Sequence, residues 1–173
     1  DSDFVSVPMK GLLDKGYLAE RSKLVGERSM GIAQPGTPPL ALARGKDATP
    51  ELPSTSHVSI VDKAGMAVSM TSSIEDGFGS RLMVNGYLLN NQLTDFSFVP
   101  ADAAGPVANR VGPGKRPRSS MAPTLIFNAH TGDLEAAIGS PGGSAIIQYV
   151  TKTVLGLVDW GLDIQQAINL PNF

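Results

Sequence analysis

The hydrophobic rhythm of this chain changes near residue 55. Upstream, "GLLDKGYLAERSKLV" (11–25) spaces Leu12, Leu13, Tyr17, Leu18, Leu24 and Val25 loosely along one side, which predicts a single amphipathic helix weakened by Gly16. Residues 26–54 hold prolines at 35, 38, 39, 50 and 53 and little periodicity. So long a connection is unusual inside a compact domain, and it reads as functional, mobile or cut. From His57 the pattern alternates. "HVSIVD" and "MAVSMTSSI" predict a hairpin turning at Gly65, and "GYLLNNQ" (86–92) a third strand. Residues 98–118, with Pro100, Pro106, Pro113 and Pro117, read as a loop. "APTLIFNAHTGDLEAAIG" (122–139) reads as a second hairpin turning through Asn128–Gly132. Ile146, Ile147, Val150, Val154, Leu157 and Val158 then share one helical face, with Ser144 as cap and Gly161 as stop. Asp163 opens a short last helix that ends before Pro171. Strands followed by helices predict an α+β layered domain rather than a βαβ repeat.

Composition narrows the function classes. With 173 residues, 42% hydrophobic and 17% charged, the chain suits one globular domain that buries about 70% of its unfolded surface. A net charge of −2 without long runs leaves no electrostatic footprint for nucleic acid or an anionic membrane. Lys115-Arg116-Pro117-Arg118 is too short to be a binding patch. The absence of cysteine excludes disulfides and Cys-ligated metals, two histidines are too few for a His-rich site, and no cofactor is expected. No apolar run reaches the roughly 18 residues of a membrane span. The opening "DSDFVSVPMK" lacks a basic start, an apolar stretch and an initiating Met, so the chain reads as a mature product or an excised piece.

Candidate chemistry begins at Thr55, where the loop gives way to a strand. A threonine hydroxyl is a weak nucleophile until a base takes its proton. If the Ser54–Thr55 bond is cut, the α-amine of Thr55 becomes that base. With a pKa near ~7.8 it is roughly 10–15% neutral at pH 7, against under ~0.1% for a lysine. Ser and Thr are also common in loops entering strands, so position alone leaves both readings open. "IGSPGGSA" (138–145) could present backbone N–H groups to an oxyanion, or be an ordinary glycine-rich turn. It is neither a P-loop nor a nucleophile elbow. Gln92 and Asp95 could hold an ammonium, or simply form a turn. Ser119 and Ser120, with a basic flank, would suit a carboxylate, though surface loops often look like this. Gly77-Phe78-Gly79 is read as backbone geometry, His57 as a packing or hydrogen-bonding residue beside the site, and Trp160 and Tyr149 as core.

Taken together and in order, "TSHVSIVDKAGMAVSMTSSI", "GYLLNNQLTDFS", "GPGKRPRSSMAPT" and "GSPGGS" closely resemble the γ-glutamyltranspeptidases, which are N-terminal nucleophile hydrolases. "DSDFVSVPMKGLL" is similar to the end of that family's large subunit. The resemblance implies a precursor that cuts itself between Ser54 and Thr55. Residues 1–54 would be the large-subunit tail and 55–173 the catalytic small subunit, truncated at its C-terminus. It further implies a four-layer αββα sandwich, of which this chain carries about half, completed by the large subunit of the same precursor. The donor would be a γ-glutamyl amide such as glutathione, and the acceptor an amino acid, a peptide or water. Position by position, the resemblance implies Thr55 as the nucleophile, Ser73 as a second hydroxyl beside it, and Gly142 and Gly143 as the oxyanion hole. Asp95 supported by Gln92 would take the α-ammonium, and Ser119 and Ser120 the α-carboxylate.

Two departures qualify these expectations. Glu75 stands where the family pattern has an asparagine, and a carboxylate there would attract the donor's ammonium but repel its α-carboxylate. Glu75→Asn is therefore expected to raise γ-glutamyl preference, and a glutaryl or cephalosporin-type acylase is the competing activity. The arginine that the large subunit contributes lies outside this chain, so the piece alone is expected to be inactive. A reading of another class makes the chain an uncut structural or binding fragment. Localisation in the periplasm or outside the cell is implied by the resemblance alone.

Overall fold

In the computed structural model, residues 1–50 and 54–172 are described; part of the proline-rich connection, residues 51–53, lies outside them. The elements are α+β, and they fall into two compact units, Asp1–Ala48 with Phe96–Pro117 and Thr49–Asp95 with Arg118–Phe173.

The first unit replaces the expected helix over 11–25 with two short ones, α1 (Met9–Leu12) and α2 (Lys15–Ser22). Asp14 is the cause. Its extended backbone breaks the helical path, and its carboxylate accepts from Tyr17 N at 2.8 Å, restarting the helix as an N-cap. With the stripe interrupted, Leu18 stays 48% exposed. The stretch 98–118 also contains paired strands that its prolines disguised, β5 (Ala101–Asp102) and β6 (Gly105–Pro106). Asp102 closes their turn by accepting from Ala104 N, and Gly105 supplies the positive φ of 120°. Phe96 and Val107 are buried, and Lys115 caps Ala108 and Arg110 carbonyls at 2.5 and 2.8 Å.

The second unit is built on two antiparallel hairpins. Strand β1 (Ser56–Val61) pairs with β2 (Ala67–Ser72), turning through Gly65 as expected; β7 (Thr124–Phe127) pairs with β8 (Leu134–Ile138), with a register shift at Ile126/Phe127. The expected strand over 86–92 is shorter. Only β4 (Tyr87–Leu88) pairs, with β3 (Met83–Val84) across Asn85-Gly86. Both turn residues have positive φ, 51° and 83°, the requirement of a tight hairpin turn that Asn-Gly meets. Ser69 Oγ donates to Ile138 O at 2.8 Å, tying the two larger hairpins together.

Helix α3 (Ile146–Val158) packs Ile146 and Val150 against Ile138 to form the buried cluster, and helix α4 (Ile164–Asn169) packs beside it. The helical face is rotated from the one predicted. Ile147 and Val158 are 55% and 64% exposed, while Lys152, Thr153 and Gly156 are buried. Gly156 makes room for Ala167, whose Cβ lies 2.8 Å from where its own would stand. Buried Lys152 donates to Ile168 O and Leu170 O, satisfying carbonyls at the end of α4. Ser144 is not the cap, because a 3-10 turn, Gly143–Ala145, leads into α3. The Gly161 stop (φ 64°) and the Asp163 start, a capping box with Gln166, are as expected. Trp160 is no core residue at 53% exposure, whereas Tyr149 is half-buried.

The first hairpin turns its more polar face inward. Ala67, Ser69 and Thr71 are half-buried with His57, while Val58, Ile60, Val68 and Met70 are exposed at 37–54%. Alternation establishes that two faces exist, but not which one meets this unit's helices.

Candidate active site

Thr55 stands one residue before β1, so the strand fixes its backbone while the proline-rich stretch leads up to it. Its hydroxyl donates to the carbonyl oxygen of Ser54, placing Oγ1 against the peptide bond on its own N-terminal side. Ser54 is half-buried, and its Oγ has no hydrogen-bond partner among the described residues.

Ser54, Thr55, Ser73, Glu75, Gln92, Asp95, Ser119, Ser120 and Gly143 line one cleft within the second unit. Gly142 precedes Gly143 without lining the cleft, and it backs onto Tyr149. The cleft is thus assembled from five separate stretches of chain, each held by its own device.

Ser73 Oγ accepts from Glu75 N at 2.9 Å, bending the chain after β2, and Glu75 takes a left-handed φ of 73°. That conformation is strained for a residue with a β-carbon, a state often found at functional sites. Asn91 then clamps two loops together. Its N–H donates to Ile74 O at 3.2 Å, and its side-chain oxygen accepts from Asp76 N at 2.9 Å. The clamp places the 3-10 turn Gln92–Asp95 beside Glu75. Gln92 Nε2 donates to both carboxylates, Glu75 Oε2 at 2.9 Å and Asp95 Oδ2 at 2.7 Å. Loss of water and the neighbouring Asp95 charge push the Glu75 carboxyl up to about 7, against the opposing effect of the Gln92 bond. Near neutral pH the Glu75 carboxyl is therefore partly protonated.

Ser119 is exposed and its Oγ accepts from Met121 N at 3.2 Å; Ser120 is half-buried. Arg118, treated in the sequence as part of a basic flank, lines the same cleft with its Nε buried. Its position directly before two serines is the signal that was available. A guanidinium beside two hydroxyls suits a carboxylate, while the amide-bridged acids suit a cation. The cleft can thus accept a head group carrying both charges. Asn91 could not have been found from sequence, because its role is to join loops 15 residues apart.

At the helix entry, Gly142 has φ 135° and Gly143 φ 57°, and Ala145 N returns to Gly142 O at 3.1 Å. The bulk of Tyr149 fills the space that a Gly142 side chain would need.

Comparison with known proteins points to one family. The family model described as Gamma-glutamyltranspeptidase matches residues 1–173. The chain is 40% identical over 184 residues to the glutathione hydrolase proenzyme of Pseudomonas sp. (strain A14), covering 100% of this chain and 30% of that protein. It is 38% identical over 180 residues to that of Escherichia coli (strain K12), with the same coverage. Among solved structures, the T380A mutant of the Helicobacter pylori γ-glutamyltranspeptidase matches with TM-score 0.59 and 37% identity, over 68% of this chain and 65% of that one. The Pseudomonas nitroreducens enzyme complexed with L-DON matches with TM-score 0.58 and 37% identity, over 66% and 62%. The chain belongs to the γ-glutamyltranspeptidase family, and it spans about 30% of the length of these curated relatives.

Proposed function

We propose that this chain belongs to a precursor that cuts itself before Thr55 and then transfers γ-glutamyl groups from amides such as glutathione. The observation that carries the reading is the Thr55 hydroxyl lying against the Ser54 carbonyl, inside a cleft that offers acids on one part and Arg118, Ser119 and Ser120 on another. In the first step Oγ1 attacks the Ser54 carbonyl carbon, the hydroxyl proton passes to the departing Thr55 nitrogen, and the peptide becomes an ester. Water hydrolyses that ester, leaving Ser54 as a carboxylate and Thr55 with a free amine and its hydroxyl restored. In the second step the amine takes the hydroxyl proton while Oγ1 attacks the γ-carbonyl of the donor, and the proton goes to the leaving amine. An acceptor amine or water then releases the glutamyl group. Gly142 and Gly143 stabilise the oxyanion in each attack. Ser73 supports Thr55, Gln92 with Asp95 and Glu75 takes the α-ammonium, and Ser119 and Ser120 take the α-carboxylate. Residues 1–54 are the tail of the large subunit. The rest of the four-layer αββα sandwich covers the outward apolar face of the first hairpin. The names of the relatives, proenzymes that hydrolyse glutathione, support this reading.

The test is turnover of γ-glutamyl-p-nitroanilide by the processed enzyme, with and without glycylglycine. A burst of p-nitroaniline and a γ-glutamyl-glycylglycine product are expected. Absence of both in a correctly cleaved enzyme would exclude transferase chemistry.

The amide bridge reverses the expectation for Glu75. Because Gln92 joins it to Asp95, Glu75 belongs with the ammonium-binding acids, and ionising it favours a donor that carries that ammonium. Its carboxyl holds a proton up to about 7, so the charge arrives as pH rises through that value. The kcat/KM ratio of γ-glutamyl to glutaryl p-nitroanilide should therefore climb several-fold between pH 6 and 8. In Glu75→Asn the ratio should stay flat and lie below wild type at pH 8. Taking a ratio cancels the titration of the Thr55 amine, which both donors share. A flat ratio in the wild type would remove Glu75 from donor selection.

A further inference from the structure

We propose that His57 is a positioning residue, its imidazole being the spacer that sets the gap between the nucleophile on one hairpin and the oxyanion turn that leaves the other. The proposal rests on the roles given above to Thr55, Gly142 and Gly143. His57 lies two residues after Thr55 on β1, and Gly139 directly follows β8, three residues before Gly142. The imidazole occupies the space where a side chain at Gly139 would begin. An added Cβ there would collide with the ring, standing only 2.6 Å from its third nearest atom, Nε2. Two hydroxyls hold the ring in place, Thr71 Oγ1 at 2.8 Å from Nδ1 and Ser59 Oγ at 3.1 Å from Nε2. Both hydroxyls come from the first hairpin, so the ring is fixed to the nucleophile's sheet while its face abuts the start of the oxyanion turn. Burial holds the imidazole below its ordinary pKa, so near neutral pH the ring is uncharged, with one nitrogen donating and the other accepting. Ser69, also on the first hairpin, donates to the carbonyl of Ile138 at 2.8 Å, next to Gly139. A hydrogen bond and a rigid ring thus span the same junction, one pulling and one propping. The donor head group is held elsewhere, by Gln92, Asp95, Ser119 and Ser120. A change in this spacing should therefore touch the reaction and leave donor binding alone.

The experiment measures kcat and donor KM with γ-glutamyl-p-nitroanilide, together with the rate of self-cleavage and Tm, in the full precursor. For His57→Ala, kcat and the cleavage rate should each fall about 10²-fold, the effect of a displacement near 1 Å, with KM within about threefold of wild type. His57→Gln, whose amide can meet Thr71 and Ser59, should recover at least tenfold of that loss. If His57→Ala does not fold, Thr71→Val leaves the ring in place but frees one nitrogen, and about a tenfold kcat loss at constant KM is expected. A folded His57→Ala or Thr71→Val enzyme with wild-type kcat would overturn the proposal. So would losses carried by KM, or a glutamine variant no better than alanine. A wild-type precursor that neither cleaves nor turns over donor would instead sink the assignment of Thr55, and this proposal with it.

Discussion

Thr55→Ala should leave the precursor as one uncut chain and lower turnover at least about 10⁴-fold, the scale on which removal of a nucleophile acts in enzymes with an otherwise intact site. Two losses combine in that number. Alanine has no Oγ1 to attack the Ser54 carbonyl, so the ester never forms and no α-amine is released. Even if the chain were cut by other means, no hydroxyl would remain to carry the glutamyl group. Thr55→Ser separates the two. Its hydroxyl keeps the chemistry but lacks the γ-methyl that restricts χ1, so slower cleavage and a measurable kcat are expected. Intact mass spectrometry decides the matter: two fragments split at Ser54–Thr55 in wild type and serine variant, one mass in the alanine variant. Fragments at that junction in Thr55→Ala would show that another agent makes the cut. A single uncut chain in the wild type would favour the reading of this chain as a non-catalytic fragment.

Much of the site could be read before the structure, for a definite reason. Thr55, the serine pair, the Gln92–Asp95 segment and the turn at Gly143, all of which line the cleft, are local motifs, and local spacing survives into the fold as turns and strand ends. What joins them is not local. The Asn91 clamp and the Gln92 bridge connect residues 15 to 17 apart, and nothing in the periodicity marks either. The same limit explains the helix errors. Asp14 looks like one more polar residue on an amphipathic helix until its carboxylate is seen capping Tyr17 N. The apolar face of α3 was placed by hydrophobicity, yet Lys152 and Gly156 are buried there because α4 needs a donor for its carbonyls and a small partner for Ala167. Val58 and Ile60 show a third kind of limit. They are exposed, and alternation does not specify which face of the hairpin meets this unit's helices.

Gly142→Ala should lower kcat by about 10²–10³ with little change in donor KM, the signature of a lost oxyanion donor. The backbone supplies the first reason. A φ of 135° lies in a region that residues with a β-carbon rarely adopt, at roughly 1–3 kcal/mol. Packing supplies the second, since the new methyl would stand 2.8 Å from Tyr149 Cε2 and 3.2 Å from Cδ2. The ring can yield in part, but the φ cannot be kept, so the peptide between Gly142 and Gly143 must rotate and carry its N–H away from the cleft. Tyr149→Ala in the same chain tells the two causes apart. It removes the collision and leaves the torsional conflict, so the double variant should recover less than about tenfold. Full recovery would mean that crowding alone was responsible and that alanine tolerates this backbone. A Gly142→Ala enzyme within fivefold of wild-type kcat would mean that the N–H carried by this peptide, that of Gly143, does not depend on the Gly142 backbone for its place in the cleft.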